Sequence, residues 1–197
     1  MRIFVTGATG FIGYNLVKEL ERKKIKTLAF ARKVESINQK KFKYVKFISL
    51  DIYREKKIFK IFGTPKVLIH LAWEGLPNYH KNFHMKKNLP NDLAFLKRAI
   101  NNDVKHLIIS GTCYEYGKQE GCLNENLKTI PCTKYGKAKD TLRLKLEKIR
   151  VNKPFILQWL RIFYPFGNHQ NSKSLLPSLK KAIKENKKSF GITSKLI

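Results

Sequence analysis

Short apolar runs alternate along the chain with longer stretches in which apolar residues recur every three or four positions. The apolar runs predict six strands, at residues 1–6, 25–30, 44–50, 66–71, 104–110 and 154–163. The three-to-four spacing predicts helices over residues 14–21, 54–62, 88–101, 134–150 and 175–187. Strands that alternate with helices in this way form a parallel sheet with helices on both faces. The pattern therefore predicts a doubly wound α/β fold.

The first predicted strand runs directly into a glycine-rich turn. Residues 6–13 read TGATGFIG, and a helix is predicted to follow. Gly7 lets the chain turn tightly, Gly10 lets a pyrophosphate approach the backbone, and Gly13 lets the helix lie close to the sheet. The first turn of a helix also offers free N–H groups and a partial positive charge to phosphates. An ordinary glycine turn is the alternative, but its place between a strand and a helix favours dinucleotide binding.

Length and composition fit a single soluble domain. The chain has 197 residues, of which 43% are hydrophobic, enough for one domain with a proper core and a small appendage. No apolar run is long enough to span a bilayer, and the first residues show no secretory leader. The three cysteines, Cys113, Cys122 and Cys132, form no C-x-x-C pair. We therefore expect a cytoplasmic protein with reduced thiols and no membrane partner.

The formal net charge of +27 allows two interpretations. One is a polyanionic partner such as nucleic acid, and the other is a surface of solvated lysines. Lysines far outnumber arginines and are spread over the whole chain, whereas direct reading of bases favours arginine. No nucleic-acid-binding motif is present, so we expect no nucleic-acid partner. The charge would still attract anionic substrates such as nucleotide diphosphates.

The residues that follow the second predicted strand bear on the choice of cofactor. In dinucleotide folds, a carboxylate about 20 residues past the glycines usually holds the ribose 2′-hydroxyl of NAD. Ala31 stands at that position and is followed by Arg32 and Lys33. A small residue followed by two cations would accept the 2′-phosphate of NADP. We therefore predict NADP, with NAD as the alternative if the two cations only face solvent.

Tyr135 and Lys139 form a Y-x-x-x-K pair on the fourth predicted helix. Residues four apart share one face of a helix, so the phenol and the ammonium can both reach the same bound group. An unperturbed tyrosine has a pKa of about 10 and is a poor base at neutral pH. A neighbouring lysine and a positively charged nicotinamide ring would both stabilise the phenolate and lower that pKa. The pair predicts proton transfer by Tyr135.

The glycine turn and the Tyr–Lys pair together resemble the motifs of the extended short-chain dehydrogenase/reductase family, which comprises nucleotide-sugar epimerases, dehydratases and reductases. The resemblance extends from residue 1 to about residue 190. It implies a Rossmann-fold NAD(P)-binding domain over residues 1–166 and only the start of a substrate-binding lobe over residues 167–197. Family members continue further, so we expect either a truncated product or a short member of the family.

The resemblance also implies the site residues. Residues 109–117 read ISGTCYEYG and resemble the family segment that carries a catalytic serine or threonine. Thr112 is the implied third catalytic residue beside Tyr135 and Lys139, with Ser110 as the alternative, and its hydroxyl would orient the reacting sugar oxygen. The implied substrate contacts are Thr112, Cys113 and Tyr114. The implied cofactor contacts are Gly7, Thr9, Gly10, Phe11, Ile12, Arg32, Asp51, Ile52, Leu71, Ala72, Asn88, Tyr135 and Lys139.

One departure from the family pattern narrows the reaction. Family 4,6-dehydratases carry an Asp-Glu pair directly after the threonine, and here Cys113 and Tyr114 take those places. The segment GTCYEYG, residues 111–117, more closely resembles that of reductases and epimerases of 4-keto-6-deoxy sugars in O-antigen and capsule pathways. Three functions stay open: an NADP-dependent reductase acting at C4 of a nucleotide-diphosphate sugar, a 4-epimerase with tightly bound NAD, and an inactive cofactor-binding remnant.

The resemblance further implies a homodimer that pairs the helices over residues 88–101 and 134–150. A metal site is not expected. His80 and His84 are four residues apart and could both face a metal from one helix, but no third ligand is evident.

Overall fold

A computed structural model describes residues 2–187 and 189–191 of the chain. They contain six strands and five α-helices, and every predicted strand and helix is present. In chain order the elements are β1 (Ile3–Thr6), α1 (Phe11–Arg22), β2 (Thr27–Ala31), β3 (Val45–Ser49), α2 (Ile58–Phe62), β4 (Val67–His70), α3 (Leu89–Asn101), β5 (His106–Thr112), α4 (Lys134–Asn152), β6 (Ile156–Ile162) and α5 (Leu175–Lys184).

Two helices are shorter than the sequence pattern predicts. The segment predicted over residues 54–62 is an α-helix only from Ile58, because the residues before it form turns. There the carboxylate of Glu55 accepts the backbone N–H of Lys57 at 2.7 Å, which satisfies this donor without a helix. The last predicted helix ends at Lys184 rather than at residue 187.

The strands form one sheet in the order β3-β2-β1-β4-β5-β6, and every neighbouring pair is parallel. The chain first adds strands on one side of β1 and then returns to add the remaining strands on the other side. The strand order therefore reverses between β1 and β4. In sheets of this kind, ligands bind in the crevice outside the carboxyl ends of the strands at that point. The predicted doubly wound α/β fold is confirmed.

Both faces of the sheet carry a hydrophobic core. On one face, Val5 of β1 belongs to the same buried cluster as Leu20 of α1. On the other face, Phe4 of β1 belongs to a cluster that includes Phe95 of α3 and Leu142 of α4. Successive residues of a strand point to opposite faces, which is why neighbours such as Phe4 and Val5 lie in different clusters. Helices α3 and α4 therefore cover the face opposite to α1.

The chain divides into two compact units between Phe163 and Tyr164, whereas the sequence places the domain boundary after residue 166. The first unit contains the sheet and helices α1 to α4. The second unit contains α5, in which Ala182 is buried and Ile183 is exposed. All the candidate catalytic residues belong to the first unit.

Candidate active site

The glycine turn joins β1 to α1 against the end of β4. Gly7 has a φ of +69°, and a Cβ there would lie 2.7 Å from the backbone nitrogen of Ala72. A Cβ on Gly13 would overlap the carbonyl oxygen of Gly7. Only glycine allows both the turn and this close approach. The local sequence therefore fixes the position of the amino end of α1 at the reversal of the strand order.

The amino end of α1 suits the phosphates of a dinucleotide. Gly10 is the N-cap residue and provides no side chain to cap the helix. Thr9 and Gly10 are exposed, and Phe11 and Ile12 are half-buried. Helix N–H groups in the first turn have no intrahelical partner and attract anions. The residues of this turn fit a pyrophosphate.

Arg32, just beyond β2, is part of an ion-pair chain. Its guanidinium pairs with the carboxylate of Glu74, and the other oxygen of Glu74 lies 2.8 Å from the Lys87 ammonium. The hydrogen bond from Lys87, followed by that from Arg32, lowers the pKa of Glu74 below its ordinary value. The Arg32 cation therefore has a carboxylate partner, which sequence reasoning missed because Glu74 is 42 residues away.

The other predicted cofactor contacts lie around the same edge of the sheet. The Asp51 carboxylate accepts the backbone N–H of Tyr53 at 2.9 Å, and Ile52 is buried in the core. Leu71 and Ala72 are half-buried and follow β4, where their backbone contacts Gly7.

Asn88 has a structural partner at the start of α3. It is buried at the end of a π-helical turn, His84–Asn88, and its amide donates to the carbonyl oxygen of Glu74 at 2.9 Å. It also lies 3.3 Å from the Nδ1 atom of His84. Asn88 thus connects the loop after β4 to the helix that follows it.

Thr112 and Tyr135 meet at the carboxyl end of β5. Thr112 is the last residue of that strand, and its side chain lies close enough to Tyr135 to act against the rise in the pKa of the phenol. Tyr135 lies in the first turn of α4, where the Thr133 hydroxyl caps the helix by accepting the N–H of Gly136 at 2.9 Å. The backbone N–H of Tyr135 donates to the carbonyl oxygen of Tyr79 at 2.9 Å. Two elements and one loop therefore fix the position of the phenol.

Ser110, the alternative to Thr112, points elsewhere. Its hydroxyl donates to the carbonyl oxygen of His70 at 3.4 Å, on the neighbouring strand β4. The structure therefore supports Thr112 rather than Ser110 as the hydroxyl that works with Tyr135.

Aromatic rings surround Tyr135. The ring centroids of Trp73, Tyr79, His84 and Tyr114 lie 5.7, 5.8, 5.3 and 6.2 Å from that of Tyr135. Tyr135 is only 7% exposed. Burial raises its pKa above the ordinary value, and the nearby Thr112 side chain opposes this rise. The phenol is therefore protonated at neutral pH.

Lys139 is fully buried one helical turn beyond Tyr135. Its ammonium lies 3.9 Å from the centroid of the Trp73 ring. Burial lowers the pKa of Lys139 to about 8, while the charges of Asp92 and Glu115 raise it. The spacing predicts that Lys139 lowers the pKa of Tyr135, but in the structure that pKa is raised because burial dominates.

Cys113 and Tyr114, the predicted substrate contacts, follow Thr112 in a 3₁₀ turn, Cys113–Glu115. Both side chains are half-buried. The Tyr114 ring stacks on Tyr79 with the centroids 4.7 Å apart. Burial raises the pKa of the Cys113 thiol, so that it stays protonated. Tyr114 therefore borders the site through its ring.

Glu115 anchors Thr112, the candidate catalytic threonine, and was not identified from the sequence. Its carboxylate, which is fully buried, accepts the backbone N–H of Thr112 at 2.8 Å. It also accepts the indole N–H of Trp159 at 2.9 Å and the Nε–H of Arg161 at 3.0 Å, both on β6. The spacing T-x-x-E of a capping box was the signal that could have revealed it.

Among residues 2–187 and 189–191, no group of three or more His, Cys, Asp or Glu side chains could hold a metal ion. His84 is buried, with its Nε2 atom 3.0 Å from the carbonyl oxygen of Asn78. No helix in this part of the chain has the length and hydrophobicity needed to cross a bilayer.

The glycine turn, the Tyr135–Lys139 pair and Thr112 thus share the carboxyl edge of a doubly wound sheet. This arrangement defines a Rossmann-fold protein of the extended short-chain dehydrogenase/reductase class. More narrowly, the chain belongs to the NAD-dependent epimerase/dehydratase family, whose sequence model matches residues 3–196.

Two curated proteins are similar to this chain in sequence. The chain is 30% identical over 199 residues to the dTDP-6-deoxy-L-talose 4-dehydrogenase (NAD(+)) of Aggregatibacter actinomycetemcomitans, covering 98% of this chain and 72% of that protein. It is 28% identical over 181 residues to the dTDP-4-dehydro-6-deoxyglucose reductase of Escherichia coli, covering 85% of this chain and 57% of that protein.

A solved structure supports the fold. The UDP-glucuronic acid 4-epimerase of Bacillus cereus in complex with NAD superposes with a TM-score of 0.80 at 24% identity. The match covers 95% of this chain and 65% of that one. The chain therefore spans slightly less than two thirds of this solved structure.

Proposed function

We propose that the chain is the cofactor-binding and catalytic part of an NADP-dependent oxidoreductase acting at C4 of a nucleotide-linked 6-deoxy sugar. The placement of Thr112 at the carboxyl end of β5, beside Tyr135 in the first turn of α4, is the observation that supports it best. It places a hydroxyl and a phenol together at the edge of the sheet where the glycine turn also lies. The sugars of O-antigens and capsules, which the sequence resemblance suggests, are the proposed destination of the product.

The protonation state of the Tyr135 phenol indicates the direction in which it would transfer a proton. Because burial raises the pKa of Tyr135, the residue carries its proton at neutral pH and can donate it to a carbonyl oxygen. The Thr112 hydroxyl can hydrogen-bond the same oxygen and orient it toward the phenol. A bound nicotinamide supplies the hydride for the carbonyl carbon.

Lys139 would act after Tyr135 has donated its proton. Donation by Tyr135 leaves a phenolate in an apolar site, where an uncompensated charge is costly. A lysine cation one helical turn away lowers that cost. The proposed role of Lys139 is therefore electrostatic.

The residues that would hold the dinucleotide are those of the glycine turn and the edge of the sheet. The first-turn amides of α1 would bind the pyrophosphate. Arg32 would bind the 2′-phosphate of NADP in exchange for Glu74, and Leu71, Ala72 and Asn88 would line the cofactor. Helices α3 and α4 are the proposed homodimer surface.

The two named relatives support the substrate class. Both names refer to a dTDP-linked 6-deoxy sugar and to position 4. The name of the first relative specifies NAD(+) as its cofactor, so NADP in this chain rests on Arg32 and Lys33 alone.

The test is oxidation of NADPH in the presence of a dTDP-linked 4-keto-6-deoxy sugar. The wild type should oxidise NADPH, and Tyr135→Phe should lower kcat by about a hundredfold or more because the proton donor is lost. Thr112→Val should lower kcat by about tenfold to a hundredfold, whereas Ser110→Ala should stay within about twofold of the wild type. Tight NADPH binding without turnover in the wild type would contradict reductase activity.

A 4-epimerase is the second candidate, because Glu74 neutralises Arg32 and so favours NAD over NADP. Such an enzyme would keep its cofactor and return the hydride to the opposite face of the sugar. Oxidised NAD that co-purifies with the protein, and sugar turnover without added cofactor, would support this candidate over the reductase.

A further inference from the structure

A group of buried polar side chains connects three elements of the core near Lys139. Asp92 of α3 is fully buried, and the Tyr53 hydroxyl donates to its Oδ1 atom. The Nε2 atom of His70, at the end of β4, lies 3.3 Å from the same oxygen. On the other side of the imidazole, Nδ1 lies 2.8 Å from the Thr6 hydroxyl. The proposed chemistry assigns no role to this group.

The geometry around His70 indicates how its hydrogen is placed. The Thr6 hydroxyl oxygen accepts the backbone N–H of Ala72 at 3.4 Å, so its own hydrogen can point to the Nδ1 atom of His70. The neutral imidazole then carries its hydrogen on Nε2, facing Asp92. The Tyr53 hydroxyl donates to one oxygen of the carboxylate, and the Nε2 atom of His70 lies 3.3 Å from the same oxygen without completing a hydrogen bond.

Two charged atoms in this region have no hydrogen-bond partner. They are Oδ2 of Asp92 and Nζ of Lys139, and both side chains are fully buried. A buried charge without compensation is costly, and it usually shifts its pKa or finds an opposite charge. The charge of Asp92 is the largest influence that keeps Lys139 protonated against the effect of its burial. Each of the two groups thus offers the compensation that the other lacks.

We propose that Asp92 is a positioning residue whose carboxylate acts as the counter-ion of Lys139, keeping the buried ammonium charged and available to Tyr135. The effect on catalysis rests on the proposed function. The electrostatic interaction between Asp92 and Lys139 does not depend on the proposed function.

Other charged and titratable groups face this pair, and none replaces Asp92. Glu115 also favours the charged form of Lys139, but its carboxylate is occupied by Trp159 and Arg161. Burial lowers the pKa of His84 and the Lys139 charge lowers it further, so His84 adds no competing cation. The remaining groups around the pair are the Trp73 ring and the side chains of Tyr53, His70 and Tyr135.

The proposal is tested first by the pH dependence of stability. The pKa of Lys139 is about 8 in the folded protein and about 10.4 when unfolded. Between these values the unfolded chain binds more protons, so stability rises with pH and the rise begins near pH 8. The difference between the wild type and Lys139→Met, measured by urea unfolding from pH 6 to 10, isolates this contribution.

Asp92→Asn should move that rise to lower pH. With the counter-ion gone, the Lys139 pKa falls further, so the rise should begin about one pH unit lower. The contribution of Lys139 to stability in this background is the difference in unfolding free energy between Asp92→Asn and the double variant Asp92→Asn/Lys139→Met. Asp140→Asn is the matched control, because Asp140 neighbours Lys139 in sequence but pairs with Arg143 at 2.8 Å. In the control the rise should begin where it does in the wild type, and an unmoved rise in Asp92→Asn would overturn the proposal.

The double variant tests the proposal even if Asp92→Asn alone does not fold. Removing both charges leaves no unpaired charge in the core, so the double variant should be more stable than Asp92→Asn alone. A double variant that is no more stable than Asp92→Asn would contradict the interaction.

Kinetics then test the effect on the site. At pH 8, where a pKa lower by about one unit leaves few Lys139 side chains protonated, Asp92→Asn should lower kcat by about fivefold and change KM by less than about threefold, because the defect is electrostatic. Lowering the pH by about one unit should restore much of kcat, since Lys139 regains its proton. An equal loss at every pH would show a merely structural role and overturn the positioning claim. If the wild type has no activity, the stability measurements alone decide the proposal.

Discussion

At the scale of single residues, Tyr135 and Lys139 show both the strength and the limit of sequence reasoning. The four-residue spacing correctly placed the two side chains on one buried helix. It could not show that the ammonium lies on the Trp73 ring or that the charge of Asp92 is the largest influence that keeps it protonated. Asp92 is an acid on an amphipathic helix and looks like a surface residue. Its burial depends on β4 and on the turn after β3, which lie far from it in sequence.

We expect the ion pair of Arg32 with Glu74 to set the relative affinity of the protein for NADP and NAD. Arg32→Ala should weaken NADPH binding by about tenfold or more and leave NADH binding within about threefold, because only the 2′-phosphate loses its partner. Glu74→Gln should strengthen NADPH binding relative to NADH, since the guanidinium no longer has a competing carboxylate. Fluorescence titration of both cofactors measures these ratios.

Two observations would argue against this account of cofactor choice. One is an NADPH-to-NADH affinity ratio that is the same in all three proteins. The other is a wild type that binds NADH more tightly than NADPH and does so even more after the Glu74→Gln change. Arg54→Ala is a matched control, because Arg54 is an exposed arginine near the same edge that pairs with Asp51 at 3.7 Å.

At the scale of elements, Glu115 joins the turn after β5 to the edge strand β6. Glu115→Gln should destabilise the fold by about 3 kcal/mol, because Arg161 would keep a largely buried charge without its carboxylate. Glu147→Gln is the comparison, since Glu147 pairs with Arg150 at 2.6 Å on the exposed surface of α4. That change should cost less than about 1 kcal/mol.

Urea unfolding at pH 7 measures both changes. Equal losses of stability in the two variants would contradict the structural role of Glu115. Because Glu115 also fixes the backbone of Thr112, its variant should in addition lose activity.

Most elements were predictable from the sequence because the apolar residues of each segment follow one pattern, either the apolar run of a buried strand or the three-to-four spacing of a helix. The central strands β1, β2 and β4 are mostly apolar runs, as expected where both faces of a parallel sheet are buried. The start of α2 and the π-helical turn at His84–Asn88 were missed, because local side-chain bonds and the contacts of His84 determine them. Such bonds leave no periodic signal. The partner of a strand-end residue such as Arg32 is likewise set by chain segments that only the fold brings together.

At the scale of the whole molecule, the order of the strands decides where chemistry can occur. The reversal between β1 and β4 places the glycine turn beside the loop that follows β4. The end of β5 supplies Thr112, and α4 supplies Tyr135 and Lys139. The family motifs were sufficient to predict this arrangement. The supporting residues Asp92, Glu115 and Trp73 were not predictable in the same way, because their roles arise from packing.

The central claim is that hydride transfer at C4 of the sugar is coupled to the proton of Tyr135. Its most direct measurement uses NADPH that carries deuterium at the transferable position, with a dTDP-linked 4-keto-6-deoxy sugar as acceptor. The account predicts a reduced sugar that carries deuterium at C4 from the wild type, and a rate lower by about a hundredfold or more from Tyr135→Phe. Deuterium-free sugar in the presence of bound cofactor, or equal transfer by the two proteins, would contradict it.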